Sequence, residues 1–247
     1  MIYHFDQLTS TNNEATSSAY AEGDVVWAEE QSAGRGQRGH KWESRKGENI
    51  TFSVVLEPKF LPAIKQFLIS EVVALALVDA LQYYGIGAKI KWTNDIYVGD
   101  KKLAGILIEH KLSGSNLSRT VVGIGLNVNQ MEFSSELPNP VSMRQLIRLE
   151  LDCEEVLSRV TESLMARYEM LRQGEEERLQ TGYQELLYRR DALHWYFLPD
   201  GSRFRGTIRG VEPTGALRIE NEKGVERTFL FKEVEFSVKN ITKINED

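Results

Sequence analysis

Gly34-Arg-Gly-Gln-Arg-Gly-His-Lys-Trp42 is the stretch that decides among the fold classes open to this chain. Its three glycines match the letters of a dinucleotide-binding turn, but that turn must open directly into a helix. The apolar segment that follows, residues 49–56, alternates and is rich in β-branched residues, so it predicts a strand. A P-loop is rejected too, because His-Lys follows Gly39 where Lys-Ser or Lys-Thr is required. With residues 25–28 as a β-prone segment ahead of it, the stretch predicts a strand–loop–strand unit.

The loop of this unit is strongly cationic. Five basic residues fall within twelve positions, although the whole chain carries a net charge of -6; they are Arg35, Arg38, Lys41, Arg45 and Lys46. Glycine permits close backbone approach, and arginine offers a planar fork to phosphate or carboxylate oxygens. A solvated surface loop is the plain alternative. The glycines and the closing tryptophan favour a loop that folds over an anionic ligand with a flat ring, such as a nucleotide.

A second group of polar residues surrounds a predicted hairpin. Lys91-Trp-Thr-Asn-Asp95 precedes a short strand at 96–98, and Lys101-Lys-Leu-Ala-Gly105 begins the next strand after Gly99-Asp100. Asn-Asp is also a common turn former, so a purely structural role is the alternative for that pair. Together with the cationic loop, the two lysine-containing segments predict an ATP-using site.

Composition narrows the class of protein. A chain of 247 residues with 41% hydrophobic content has enough apolar residues for a proper core, in one large domain or two small ones. One cysteine and four histidines exclude an internal disulfide and a zinc-type spacing. The sequence has neither a signal peptide nor an apolar run of membrane-spanning length. We therefore expect a cytoplasmic protein with no nucleic-acid partner, since the mild acidity argues against non-specific nucleic-acid binding.

The remaining pattern predicts helices in the middle of the chain and strands at its end. Apolar spacing near 3.6 predicts a helix from Pro62 to Tyr84 with one apolar face, and further helices at 142–149, 153–172 and 174–190, the last broken at Thr181-Gly182. Thr11 and Glu14 predict a capping box. From Trp195 onward, β-prone runs and turn signals alternate about every ten residues, which suggests a small barrel. We place the domain boundary so that residues 1–191 and 192–247 are separate units.

Five motifs, in this order, make the chain resemble biotin protein ligases. They are Ser10-Thr-Asn12, Gly34-Arg-Gly-x-x-Gly-x-x-Trp42, Lys91-Trp-Thr-Asn-Asp95, Lys101-Lys-Leu-Ala-Gly-Ile-Leu107 and Gly123-Ile-Gly-Leu-Asn-Val-Asn129. The resemblance covers residues 1 to about 190 and is weaker in the tail. It implies an α+β fold with a mixed, largely antiparallel sheet flanked by helices, like that of class II aminoacyl-tRNA synthetases, and a small C-terminal SH3-like β-barrel.

The resemblance also implies an activity. Biotin protein ligases use ATP and Mg²⁺ to convert biotin into biotinyl-5'-AMP, and then transfer biotin to a lysine of a biotin carboxyl carrier domain. Relatives pair through the catalytic sheet, so a homodimer is plausible. Some relatives carry a DNA-binding helix-turn-helix ahead of the catalytic part; with about nine residues before Ser10, we expect no repressor activity here.

Residue roles follow from the matched motifs. The catalytic residues would be Lys102 and Arg35, with Lys101 pointing the other way along its strand. The residues expected to bind biotin are Ser10, Thr11, Asn12, Gln31, Gly34, Arg35, Lys102, Gly105 and Gly123, the last two being alternatively explained by close strand packing. The residues expected to bind ATP or the adenylate are Arg38, His40, Trp42, Asn94, Asp95 and Asn127. Asn127 is also the only candidate metal ligand.

One position departs from the family pattern. Many members read Gly-Arg-Gly-Arg, and Gln37 stands at the fourth position here. We expect weaker retention of the adenylate unless Arg38 or Arg45 supplies the missing charge. A lipoate or octanoate ligase of the same fold is an alternative, although its Arg-Arg-x-Ser-Gly-Gly-Gly loop is not seen. A non-catalytic biotin- or nucleotide-binding protein and an interaction module are the others.

Overall fold

The computed structural model describes residues 1–37 and 41–236. The predictions for Arg38 and His40, and those for the end of the tail, fall outside these ranges. The strands are β1 Ile2–Leu8, β2 Val25–Gln31, β3 Ile50–Leu56, β4 Lys89–Lys91, β5 Asp95–Val98, β6 Lys101–Ser113, β7 Asn116–Leu126, β8 Leu193–Phe197, β9 Arg203–Val211, β10 Leu217–Asn221, β11 Glu226–Phe229 and β12 Glu235–Phe236. The α-helices are α1 Thr11–Ala15, α2 Phe67–Tyr83, α3 Met143–Ile147, α4 Cys153–Arg172 and α5 Glu176–Glu185.

A seven-stranded sheet forms the larger part of the molecule. Its strand order is β1-β2-β3-β7-β6-β5-β4, in which β1 and β2 are parallel and all other neighbours are antiparallel. The expected strand–loop–strand unit is confirmed, since β2 and β3 flank the glycine-rich loop and pair with each other. The mixed, largely antiparallel sheet flanked by helices is confirmed as well.

The two faces of this sheet have different uses. From Ala104 in β6 and from Val122 in β7, even-numbered residues such as Ile106 and Ile124 point into the hydrophobic core beneath the helices. Odd-numbered residues on the opposite face include Gly105, Leu107 and Gly123, which line a cavity. The pleat therefore separates a packing face from a binding face along the same strands.

Helix α2 fills the core on the packing face. It lies against α4, α5 and the strands β4 to β6. The prediction of a single apolar face is wrong, because most of its side chains are buried all around, from Leu68 to Leu81. Its start is also later than predicted, since one 3₁₀ turn at Ala63–Lys65 precedes it. The predicted end is confirmed at Gly85, which adopts φ 72°.

Two local predictions fail for identifiable reasons. Helix α5 runs through Thr181-Gly182 without a break, and it packs against α2 there, where a Cβ on Gly182 would make ordinary contact with Leu75 at 3.5 Å. The capping box of α1 is absent, since Ser10 is the N-cap and makes no side-chain capping bond. The Thr11 hydroxyl and the Glu14 carboxylate have partners elsewhere in the fold, namely Gln31 and Tyr20.

The tail forms a second, antiparallel sheet that docks on the first unit. Its order is β11-β10-β9-β8-β12, and the pairings among described residues do not show the closure of a barrel. The Gln184 side chain pairs with both backbone groups of Val211, at 2.7 and 2.9 Å. The Trp92 indole donates to the Gly215 carbonyl at 2.8 Å. The Gln184 bonds tie the tail to α5, and the Trp92 bond ties it to the segment that leads into β5.

Within the described ranges, no helix combines the length and apolarity needed to cross a membrane.

Candidate functional site

A cavity of about 630 Å³ opens on the binding face of the large sheet. In addition to strands of the sheet, five parts of the chain that are far apart in sequence line it: the start of α1, the glycine-rich loop, the β5–β6 hairpin, the loop at 133–140, and the tail at 231–236. Most of the residues predicted for biotin and ATP lie at its surface. The sequence motifs therefore converge in space as well as in order.

The floor of the cavity is a network of buried polar side chains from α1. Thr11 donates from its backbone N–H and its hydroxyl to Gln31 Oε1, at 2.7 and 3.2 Å. The Ser53 hydroxyl lies 2.8 Å from Thr11 Oγ1 and 2.7 Å from Asn12 Oδ1, so its single proton can serve one of them at a time. Ser10 is buried next to them. The network fixes Gln31 so that its carbonyl oxygen is used, while its amide nitrogen makes no hydrogen bond to the described residues.

Glycines make room for the side chains above this floor. A Cβ on Gly123 would lie 2.0 Å from Asn12 Oδ1, so the open face expected there is filled by the Asn12 amide. A Cβ on Gly34 would meet the Trp42 carbonyl at 2.6 Å, where Trp42 N–H donates to Gly34 O and closes the loop. The glycines thus serve close packing within the protein before any ligand is bound.

Trp42 lies flat against the sheet. A Cβ on Gly125 would come within 2.2 Å of the indole Cε2, and one on Gly105 within 3.0 Å of Cζ3. Gly105 and Gly125 are direct partners across β6 and β7, so the two together form a bare backbone platform under the ring. Gly125 was not among the predicted site residues, although its place in the Gly123-Ile-Gly motif was a signal that could have identified it.

Two lysines share one carboxylate beside this platform. Lys102 Nζ lies 2.7 Å from Asp95 Oδ1 and 5.6 Å from the Trp42 ring centre. Lys91 Nζ lies 3.9 Å from Asp95 Oδ2. Burial lowers the pKa of Lys91, and the neighbouring Asp95 opposes that shift. Lys101 is exposed and lies away from the cavity, as expected from strand alternation.

Arg35 is held by an acidic partner that the sequence did not indicate. Its Nη2 lies 2.6 Å from Glu109 Oε1, and its Nη1 donates to Glu109 Oε2 at 3.1 Å and to Asn13 Oδ1 at 2.7 Å. Asn12 Nδ2 also donates to Glu109 Oε2, at 2.9 Å. Glu109 therefore joins the glycine-rich loop to the cavity floor.

The two asparagines predicted for ATP both hold the backbone. Asn94 Nδ2 donates to Ile106 O at 2.6 Å, and Asn127 Nδ2 donates to Val141 O at 3.0 Å. Both residues nevertheless line the cavity. Among residues 1–37 and 41–236, no group of three His, Cys, Asp or Glu side chains is arranged to hold a metal ion.

Two cations, Arg38 and Arg45, were expected to replace the arginine that is missing at position 37, and only Arg45 lies within the described residues. Arg45 pairs with Glu132 at 3.2 Å and lines a different depression on the surface, so it does not supply charge to this cavity. Lys41 lines the cavity and had not been predicted there. Gln37 also lines it, and its Oε1 is buried without a hydrogen-bond partner in the described part of the chain.

The tail contributes a wall that sequence reasoning missed. Phe231, Lys232, Val234 and Phe236 line the cavity, and Lys91 Nζ lies 5.5 Å from the Phe236 ring centre. The ring of Phe231 meets Trp92 edge to face, with ring centres 6.3 Å apart. No local pattern identifies these residues, because only the docking of the second sheet brings them to the site.

Comparison with known proteins agrees with this geometry. Bacillus subtilis bifunctional ligase/repressor BirA is 29% identical over 247 residues, covering 93% of this chain and 72% of that protein. The Paracoccus denitrificans biotin–[acetyl-CoA-carboxylase] ligase is 42% identical over 124 residues, 48% of this chain and 51% of that one.

Solved structures are similar in fold. Biotin protein ligase from Aquifex aeolicus, in complex with biotin and ATP, superimposes with a TM-score of 0.80 at 24% identity, covering 96% of this chain and 99% of that one. The family model of the biotin/lipoate A/B protein ligases matches residues 3–127, which is half of the chain. The chain belongs to the biotin/lipoate A/B protein ligase family.

Proposed function

We propose that this protein is a biotin–[acetyl-CoA-carboxylase] ligase, which activates biotin with ATP and transfers it to a lysine of a carrier domain. The observation that carries the proposal is the cavity in which Lys102, Arg35 and the Trp42 platform meet over a polar floor. Cations for two anionic substrates, a flat surface for a purine and amide groups for a small polar ring are all present. Curated relatives bear the same activity in their names.

The first step joins two anions. A carboxylate oxygen of biotin attacks the α-phosphorus of ATP, the bond from that phosphorus to the bridging oxygen breaks, and pyrophosphate leaves with the electron pair. Lys102 would stabilise the charge that develops between carboxylate and α-phosphate, and Arg35 would bind the carboxylate. The buried floor would accelerate the reaction further by holding biotin in place, because fixing the reacting atoms in the right geometry lowers the entropic part of the barrier.

The second step releases AMP. The amine of the carrier lysine attacks the acyl carbon of biotinyl-5'-AMP, the acyl–phosphate bond breaks, and the nitrogen loses a proton. We propose that Gln31 donates from its free amide nitrogen to the biotin ring and that Trp42 stacks on the adenine. Lys102 would leave Asp95 for the substrate, and Lys91 would then remain as the partner of that carboxylate.

Magnesium fits this site as an ion carried by phosphate. Candidate oxygen donors at the cavity include the Asp95 carboxylate, already paired with two lysines, and the Asn127 amide oxygen. Mg²⁺ commonly takes one or two protein oxygens plus substrate phosphates. Asn127, with Asp95 once Lys102 has moved, would therefore hold it, and the ion would spread negative charge over the phosphate oxygens.

Further parts of the proposal concern the whole molecule. We propose that residues 1–191 are the catalytic domain and that 192–247 form an SH3-like barrel, supported by the five antiparallel strands of the tail. A cytoplasmic location is supported by the single free thiol, Cys153. Pairing of two catalytic sheets into a dimer rests on the family resemblance.

A direct assay tests the proposed function. The protein is mixed with ATP, Mg²⁺, labelled biotin and a bacterial biotin carboxyl carrier domain, and the label is followed onto the carrier. ATP–pyrophosphate exchange that depends on biotin tests the first step without any acceptor. Exchange with lipoate in place of biotin, and none with biotin, would reassign the chain to the lipoate branch of its family.

A further inference from the structure

We propose that Glu109 is a positioning residue for biotin, which aims one edge of the Arg35 guanidinium at the biotin carboxylate; this inference rests on the proposed function. Glu109 follows Gly105 and Leu107 on the cavity side of β6, where the pairing with β7 is regular from Ala104 to Lys111. It is the acidic residue that this face offers to Arg35.

The hydrogen bonds define which edge of Arg35 is used. A guanidinium can donate to two carboxylates at once, one across the two terminal nitrogens and one across Nε and Nη2. Glu109 occupies the first edge, with contacts of 2.6 Å to Nη2 and 3.1 Å to Nη1, and Asn13 takes the second proton of Nη1. Nε donates to no described residue, so the second edge remains for a ligand.

The same carboxylate is anchored from the other side. Asn12 Nδ2 donates to Glu109 Oε2 at 2.9 Å and to Leu107 O at 3.3 Å. Asn12 in turn contacts the buried Ser53 hydroxyl. Glu109 is thus tied to the buried floor, and together with Asn13 it fixes the side chain of Arg35.

Two opposite electrostatic effects follow from this arrangement. Glu109 repels a bound carboxylate through space, whereas it also fixes the direction of the cation that attracts the carboxylate. Both side chains of the pair are more than a third exposed, so water weakens the repulsion. We expect the positioning effect to dominate, because a fixed bidentate contact loses less freedom on binding than one made by a free side chain.

The test compares biotin with biotinamide, which keeps the rings but has no carboxylate. Glu109→Gln is expected to weaken the binding of biotin by about two- to fivefold, the upper range of an exposed charge pair, and to leave the binding of biotinamide unchanged. Calorimetry without ATP measures both affinities. A role confined to supporting Asn12 and the floor would weaken both ligands equally and would overturn the inference. Tighter binding of biotin would also overturn it, since repulsion would then dominate.

A matched control and a second variant complete the test. Glu220 pairs with Arg209 at 2.9 Å, with similar exposure, on the second sheet away from the cavity, and Glu220→Gln should bind both ligands normally. Glu109→Asp keeps the charge but shortens the reach, so it should show the same selective loss and serves if the glutamine variant does not fold. Failure of the unaltered protein to bind either ligand would instead reject the proposed function.

Discussion

Gly125→Ala isolates the role of the platform beneath Trp42. The added Cβ would lie 2.2 Å from indole Cε2, whereas ordinary contact begins near 3.4 Å, so the ring must retreat by about 1.2 Å. Gly125 has no positive φ that would strain an alanine, and alanine is the better residue in a strand. The fold should therefore survive while the indole is lifted from the sheet.

The expected loss is read from ATP affinity. If Trp42 stacks on adenine, displacing it removes part of the roughly 1–3 kcal/mol that an aromatic–base stack contributes, or about five- to hundredfold in the KM for ATP. Biotin-dependent ATP–pyrophosphate exchange measures that KM, and the indole emission spectrum reports the displaced ring. The KM for biotin should change much less.

Alanine at two further glycines provides an intermediate variant and a control for Gly125→Ala. Gly105→Ala brings its Cβ to 3.0 Å from the same ring, so the indole needs to move by only a few tenths of an ångström and the effect should be smaller. Gly87→Ala meets nothing within 4 Å and should behave as the unaltered protein. An unchanged KM for ATP in Gly125→Ala, with a shifted emission spectrum, would refute the stacking role of Trp42.

Four other outcomes are expected. Lys102→Ala should slow adenylate formation by about 10²–10³-fold, as when an oxyanion donor is removed, and Lys101→Ala should not; near-normal exchange in Lys102→Ala would reject its central role. Burial raises the pKa of Glu71 to about 8 from 4.5, so the folded protein keeps a proton that the unfolded chain has lost between these values. The free energy of unfolding should therefore fall as pH rises through that window, by up to about 1.4 kcal/mol per pH unit, and urea titrations of Glu71→Gln that keep the same slope would contradict this. Burial raises the pKa of Cys153 to about 11, so iodoacetamide should alkylate it at pH 7.5 on the order of a hundredfold more slowly than a free thiol, and equal rates would disprove the effect. Gln37→Arg should lengthen the lifetime of bound biotinyl-5'-AMP in a filter-release assay, and an unchanged lifetime would contradict the expectation that Gln37 weakens retention of the adenylate.

The sequence was a good guide to the elements because local patterns determine them. Alternation predicted β2 and β3 on either side of the glycine-rich loop, and Gly99-Asp100 predicted the hairpin between β5 and β6. Periodicity predicted α4 with its correct bounds. Where local rules failed, tertiary packing had replaced them: Thr181-Gly182 predicts a helix break, but α5 continues through it and packs against α2.

Only those residues of the candidate site that belong to sequence motifs could be predicted. Lys102, Arg35 and the Ser10–Asn12 segment could be named from the chain, and the structure brings them to one cavity. Glu109 could not, because its pairing with Arg35 spans 74 positions and leaves no periodic trace. The same holds for Phe236, which reaches the cavity through the docking of a second sheet.

The wall built from residues 231–236 has a consequence for synthesis of the protein. When the nascent chain has been synthesised as far as Leu126, the end of β7, it contains the cavity floor, the β5–β6 hairpin and Trp42. About a hundred more residues must be added before Phe231 is made. At roughly 5–20 residues per second, that interval lasts on the order of 5–20 s. During this interval the cavity of the nascent chain lacks the wall formed by residues 231–236. We therefore expect the nascent chain to bind nucleotide only late in translation.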